Sequence, residues 1–224
     1  GVNLPAGHKI YAVGDFNGDS LADILLTSSS RELLMWFGTG STFNGQSLNR
    51  IYGAGWVADL DVSSSAPKKV RYDINADSLS DLLWRGAGQV ENWLMNGATL
   101  AKATGFSLPA GYQAMTSGDF NGDGLNDLLL SNATRELVMW FSTGSTYNGQ
   151  SLGRIYGAGW SATGTVDFNS DGVSDLLWRN DSTGQIETWV MNGGSLVKAT
   201  GFTLPAGYRV LTTGNFNGDD YSDL

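Results

Sequence analysis

Five times along the 224-residue chain, side chains bearing oxygen fall at positions 1, 3, 5 and 9 of a short turn-rich segment. The sets are Asp15, Asn17, Asp19, Asp23; Asp73, Asn75, Asp77, Asp81; and Asp119, Asn121, Asp123, Asp127. Two more follow, Asp167, Asn169, Asp171, Asp175 and Asn215, Asn217, Asp219, Asp223. Alternate positions in a tight loop aim side chains into one concavity, and position 7 can add a backbone carbonyl. Hard oxygen donors in that number suit Ca²⁺, which accepts loose, many-coordinate geometry, whereas Mg²⁺ demands a strict octahedron. Zinc would want nitrogen or sulfur ligands, and the chain has one His and no Cys. Position 12 is Leu26, Trp84, Leu130 and Trp178, so these are not EF-hands, which need Glu there. A turn rich in Asp and Asn explains one such segment. Five in register, each followed by an apolar run, call for a cation, because like charges so close repel unless neutralised or protonated.

Other reactive residues recur by copy, as scaffold residues do. Glu32 has its copy in Glu136 and Glu91 in Glu187; His8 alone is unique, in the place of Tyr112 and Tyr208 within LPAG[HY]. No asymmetric group of nucleophile, base and charge stabiliser emerges, so no catalytic residue is assigned. The tryptophans also pair, and Trp36, Trp84, Trp93 and their copies lie in strand-like runs expected to pack as core. Trp56 and Trp160 differ, because each ends a glycine-rich IYGAGW loop, where alternate units place LPAGY with Tyr112 or Tyr208. These four aromatics are the candidate ligand-binding residues, stacking on sugar rings. The competing reading makes them staples between sheets.

Charge narrows the partners. With 13 Lys plus Arg against 22 Asp plus Glu, the net charge is −9, opposite to what phosphate backbones or anionic membranes attract. No nucleic acid is expected. No apolar run approaches the roughly 20 residues of a membrane span, so no membrane insertion is expected either.

The loops are carried on repeats. GDFNGDSLADILL at Gly14 returns as GDFNGDGLNDLLL at Gly118, and RELLMWF at Arg31 as RELVMWF at Arg135. VENWLMNG at Val90 returns as IETWVMNG at Ile186, so two unit types, A and B, alternate. Each unit is about 48 residues with four short apolar or alternating runs and no sustained helical stripe. In the first unit the runs are Ile10–Val13, Ile24–Thr27, Leu33–Phe37 and Leu48–Tyr52. The fold class expected is an all-β propeller of four-stranded blades. The expected boundaries are one domain over 1–224, with blades at 8–56, 66–108, 112–160 and 162–204 and a partial blade at 208–224. Residues 1–7 would be the closing strand of a preceding blade, and a Ser-rich insertion would lengthen the link between Trp56 and Asp73.

The repeated [GV]-[DN]-F-N-[GS]-D-x-x-x-D-[LI]-L pattern resembles the FG-GAP/VCBS-type repeat of integrin-α-like propellers and many secreted bacterial proteins. The resemblance implies that the loop joins the first two strands of a blade and binds calcium at the twenty positions above. Asn215 departs from the first Asp, and Ala76 and Ser170 replace the usual Gly at position 4. IYGAGW also resembles, over a short stretch, the aromatic-Gly-Gly-Trp loop of calcium-bearing propeller lectins from mushrooms. The function expected is a calcium-stabilised adhesion or recognition propeller, extracellular or on a cell surface and bacterial, with up to five structural Ca²⁺. Its partner would be a glycan or an extracellular protein. The alternatives are the propeller of a secreted polysaccharide lyase or hydrolase, and a passive module of a larger surface protein. Because the chain runs A-B-A-B and then opens another A unit, a second chain or a further segment is expected to complete the propeller.

Overall fold

A computed structural model describes residues 2–58, 72–180, 182–210, 213–219 and 221–224. The expected Ser-rich insertion, at 59–71, and the proposed blade start at 66 lie outside the described residues. Among those described, every regular element is a strand, and no helix is long and apolar enough to cross a membrane.

Four antiparallel sheets form, each with its strands side by side in chain order. The first holds β1 (His8–Gly14), β2 (Asp23–Ser28), β3 (Glu32–Gly38) and β4 (Phe43–Ile51), and the second β5 (Val57–Ala58), β6 (Leu82–Gly86), β7 (Gln89–Asn96) and β8 (Thr99–Ser107). The third holds β9 (Tyr112–Gly118), β10 (Asp127–Asn132), β11 (Glu136–Ser142) and β12 (Tyr147–Ile155), and the fourth β13 (Trp160–Val166), β14 (Asp175–Asn180), β15 (Gln185–Asn192) and β16 (Ser195–Thr203). These are four-stranded propeller blades. Their inner strands are the apolar runs, buried on both faces, as in Leu128, Leu129 and Leu130 of β10. The outer strands are polar and largely exposed. For that reason β4 begins at Phe43, well before the apolar Leu48: Phe43–Ser47 has no apolar pattern, but its backbone completes the ladder with β3.

Residues 2–7, expected as a closing strand, form none; Pro5 accepts a turn bond from the His8 N–H instead. In the complete blades the matching stretch ends β8 or β16 beside β7 or β15, and the described residues offer Val2–Leu4 no such neighbour. Residues 213–224 hold one isolated bridge, Gly214 to Asp223.

The chain divides into two compact units, one with β1–β8 and one with β9–β16. Each unit has its own core between its two sheets. In the first, Tyr11 and Tyr52 stack against Trp84, which meets Trp93. In the second, Tyr156, Trp178 and Trp189 make the same ladder, and Met115 stands where Tyr11 does. Tyr11 also ties β5 in place, its hydroxyl accepting from the Ala58 N–H at 3.2 Å, and burial pushes the phenol up to about 12.

Candidate functional site

The first, third and fourth oxygen-rich segments join the first strand of a blade to the second, the second segment leads into β6, and the fifth is closed by the Gly214–Asp223 bridge. All are held by their own side chains. Asp15 shows the pattern: Oδ1 accepts from the Gly18 N–H at 2.7 Å and Oδ2 from the Ser20 N–H at 2.9 Å. Asn17 donates from Nδ2 to Asp19, whose other oxygen caps the Leu21 N–H. Asp119, Asn121 and Asp123 repeat these bonds around Gly122, Gly124 and Leu125. In the remaining loops Asp73, Asn75 and Asp77, then Asp167, Asn169 and Asp171, do the same. Asn215, Asn217 and Asp219 close the fifth turn with one amide oxygen in place of the first carboxylate.

The backbone enters the left-handed region twice in each of the first four turns, at motif positions 4 and 6. Glycine supplies both in the third loop, Gly122 and Gly124; Ala76 and Ser78 take both in the second, at φ 62° and 68°. Non-glycine residues are strained there.

The position-9 aspartates have a second role that spacing alone does not reveal. Rather than lining the turn only, they sit buried at the start of the second strand and cross-link three segments. Asp127 accepts from the Phe120 N–H at 2.9 Å and the Ser142 N–H at 2.8 Å. Asp23, Asp81 and Asp175 bridge the matching pairs Phe16 and Gly38, Ile74 and Met95, Phe168 and Met191. Asp223 keeps only the bond from Phe216 N–H. Burial, helped by the two neighbouring carboxylates of the same loop, pushes Asp81 and Asp127 up to about 7 and Asp175 to about 6; Asp23 is raised for the same reasons. Two backbone N–H donors on each carboxylate partly offset this.

The donors fit a hard divalent cation in kind: they are all oxygen, and in four of the loops three carboxylates stand close enough to repel. Their aim is different. The oxygens turn to backbone N–H groups, and among the described residues no three His, Cys, Asp or Glu side chains gather as a metal site.

The four aromatic candidates separate. Trp56 and Trp160 are half-buried and pack against their unit's core, each edge-on to its own loop glycine, Gly53 or Gly157. Trp56 also covers Gly86, where an added Cβ would lie 2.9 Å from the indole. Tyr112 is half-buried, its hydroxyl donating to Glu136 at 3.0 Å. Tyr208 is 73% exposed and lines an open cavity of about 360 Å³ with Arg179, Asn180 and Arg209.

Three of the four glutamates accept bonds from neighbouring side chains. Glu91 and Glu187 accept from the indoles of Trp93 and Trp189, and Glu136 from Tyr112 and Asn132. His8 faces the Ala6 carbonyl at 3.1 Å. Sequence reasoning missed Ser80 and Ser174. Each forms a two-way bond with the preceding sheet's loop, Ser80 N–H to Asp15 O at 2.7 Å and Asp15 N–H to Ser80 Oγ at 2.9 Å. Ser174 and Asp119 repeat it. A partial signal was present: the second and fourth loops read S-D at positions 8 and 9, where the first and third read Ala22-Asp23 and Asn126-Asp127, although the fifth also reads Ser222-Asp223.

Residues 73–130 match the FG-GAP-like repeat family model. No curated protein matches the chain. Among solved structures, a Tc holotoxin pore from Photorhabdus luminescens aligns at TM-score 0.50 and 16% identity, covering 96% of this chain and 13% of that one. YCF48 from Cyanidioschyzon merolae aligns at 0.50 and 10%, covering 96% and 62%. Raptor from Chaetomium thermophilum aligns at 0.50 and 14%, covering 89% and 17%. The chain thus spans less than two thirds of each of these proteins, and at such identities the likeness concerns fold alone. The family match over the second and third loops, together with four-stranded meander blades, supports an FG-GAP-type β-propeller.

Proposed function

We propose that this chain is a non-enzymatic recognition module, extracellular or displayed on a bacterial surface, whose loops take calcium as a structural ion. Blades of about 48 residues, alternating between A and B forms, would be its repeat. The observation that carries the reading is the buried position-9 aspartate. Four times a carboxylate is placed at the root of a loop beside two more carboxylates and raised first by burial and then by those neighbours, with no basic partner among its described bonds. Ca²⁺ would neutralise that charge. Asp15, Asn17, Asp19 and Asp23, and their counterparts in the other loops, would hold it, and its contribution would be electrostatic. The experiment is calorimetric titration of CaCl₂ into chelator-stripped protein, with thermal melting in EDTA and in calcium. Extracellular modules bind Ca²⁺ at about 10⁻⁴–10⁻³ M, so millimolar calcium should add up to about 1 kcal/mol per site. No heat and equal melting midpoints would refute the structural-metal role.

A glycan is the ligand we favour, at Tyr208 rather than at the tryptophans, because Tyr208 presents an open aromatic face in a cavity with two guanidinium groups. A glycan array with and without Ca²⁺, repeated with Tyr208→Ala, tests it. A protein ligand, a passive spacer role and a lyase or hydrolase body are the competing outcomes.

A further inference from the structure

An asparagine followed by glycine readily loses its side-chain ammonia, because a glycine without Cβ lets its own amide nitrogen reach the asparagine carbonyl carbon. The chain has seven such pairs. In five of them the glycine N–H that would attack is committed elsewhere. Gly18, Gly122 and Gly218 donate to the position-1 side chains of their loops at 2.7, 2.7 and 2.6 Å. Their asparagines are clamped as well, each donating from Nδ2 to the position-5 aspartate. Gly97 and Gly193, after Asn96 and Asn192, donate to the Phe16 and Phe120 carbonyls at 2.8 and 3.1 Å.

The other two pairs, Asn44 with Gly45 and Asn148 with Gly149, lie in β4 and β12, the last strands of their sheets. All four residues are exposed, and neither asparagine side chain has a partner among the described residues. The ladder shows where the glycine amides point. Gly38 turns its N–H to Asp23 of β2, whereas the next residue, Thr39, turns its own to Thr42. Backbone groups alternate in direction along a strand, so Trp36 faces β2, and its partner Gly45 sends its N–H off the free edge of β4. Ser142 and Thr143 fix the same alternation beside Trp140 and Gly149.

Packing explains why a glycine follows asparagine here. A Cβ on Gly45 would stand 3.0 Å from Trp36 Nε1, and one on Gly149 3.1 Å from Trp140 Nε1. Each indole lies across its glycine and stacks on the aromatic residue two positions earlier, Phe43 or Tyr147. The B sheets place Ala103 and Ala199 opposite their tryptophans, each after a lysine, and so create no such pair.

We propose that Asn44 and Asn148 are sites of spontaneous deamidation in the folded protein. The Gly45 nitrogen gives its proton to solvent hydroxide and bonds to Asn44 Cγ. The Cγ–Nδ2 bond breaks, ammonia leaves, and a succinimide ring remains. Water then opens either carbonyl of the ring, leaving aspartate or isoaspartate. The net change is asparagine plus water to an acid plus ammonia, and each event adds one negative charge to a chain already at −9. Isoaspartate also carries the main chain through an extra carbon, at the residue paired with Phe37 in β3. The lesion therefore loosens the outer strand of an A blade and spares the inner ones.

The test holds the full chain in mildly alkaline buffer, folded and in urea, and follows aspartate and isoaspartate at all seven asparagines by peptide mapping with mass spectrometry. In the folded protein Asn44 and Asn148 should convert about tenfold or more faster than the other five, whose glycine amides must first open. In urea the seven rates should draw together. The paired substitutions Asn44→Gln and Asn148→Gln should remove the acidic species that builds up on ion exchange in the folded protein. The proposal is overturned if any other Asn–Gly pair converts first in the folded chain, or if the order of rates is the same folded and in urea. Folded protein that stays unmodified while the urea sample converts would overturn it too.

Discussion

The left-handed positions of the loops make a quantitative comparison possible. Ala76 is exposed and holds φ at 62°, so its Cβ contributes strain without buried packing. A left-handed L-residue costs about 1–2 kcal/mol, and glycine's extra freedom in the unfolded chain takes back about 0.4–1. Ala76→Gly should therefore stabilise its loop by about 0.5–1 kcal/mol. Gly122→Ala runs the same argument backward: at φ 77° the new Cβ meets only ordinary contact with Val173 at 3.4 Å, so the loss should be about 0.5–1.5 kcal/mol. Gly18→Ala has the same φ, but its Cβ would lie 2.9 Å from Leu79 Cδ2. The Leu79 methyl must move aside, so Gly18→Ala should cost more than Gly122→Ala, by about 0.5 kcal/mol. Urea unfolding in EDTA, followed by tryptophan fluorescence, reads the midpoints. A destabilising Ala76→Gly, or Gly18→Ala no worse than Gly122→Ala, would refute the reasoning.

Asp127→Ala removes the acceptor of two buried backbone N–H groups and should cost about 3 kcal/mol in chelator, whereas Asp223→Ala, which loses one exposed bond, should be nearly silent; chemical denaturation of both variants compares them. With calcium removed, the raised pKa values of Asp81, Asp127 and Asp175 mean that the folded state binds more protons than the unfolded one between about pH 4 and pH 7. Stability should then be greatest near pH 4 to 5 and decline as pH rises through about 7, and melting points that climb over that range would contradict it. Trp56→Ala should lower stability by about 2 kcal/mol or more, since the indole packs on the core and on Gly86; a melting point unchanged by the substitution would return Trp56 to the candidate ligand surface.

Most of the blade architecture is local, and local information is what a sequence carries. Short apolar runs such as Asp23–Ser28 or Asp127–Asn132 can bury themselves only as inner strands, and the Asp, Asn and Gly between them close turns within nine residues. Repetition added the rest, since five copies of one turn leave little room for another reading. The role of Asp127 is different, because its partner Ser142 belongs to a strand fifteen residues further on, and no spacing within the motif points there. The same holds for the aromatic candidates: Trp56 and Tyr208 occupy matching Gly-rich loops, yet one lies over Gly86 of the neighbouring strand and the other meets solvent. Gly14 was visible as a residue that recurs in A loops, as Gly118 and Gly214, and Ser80 as one that recurs as Ser174 and Ser222. That one exists to admit the other is a matter of 2.6 Å, and only packing two sheets together brings those atoms that close.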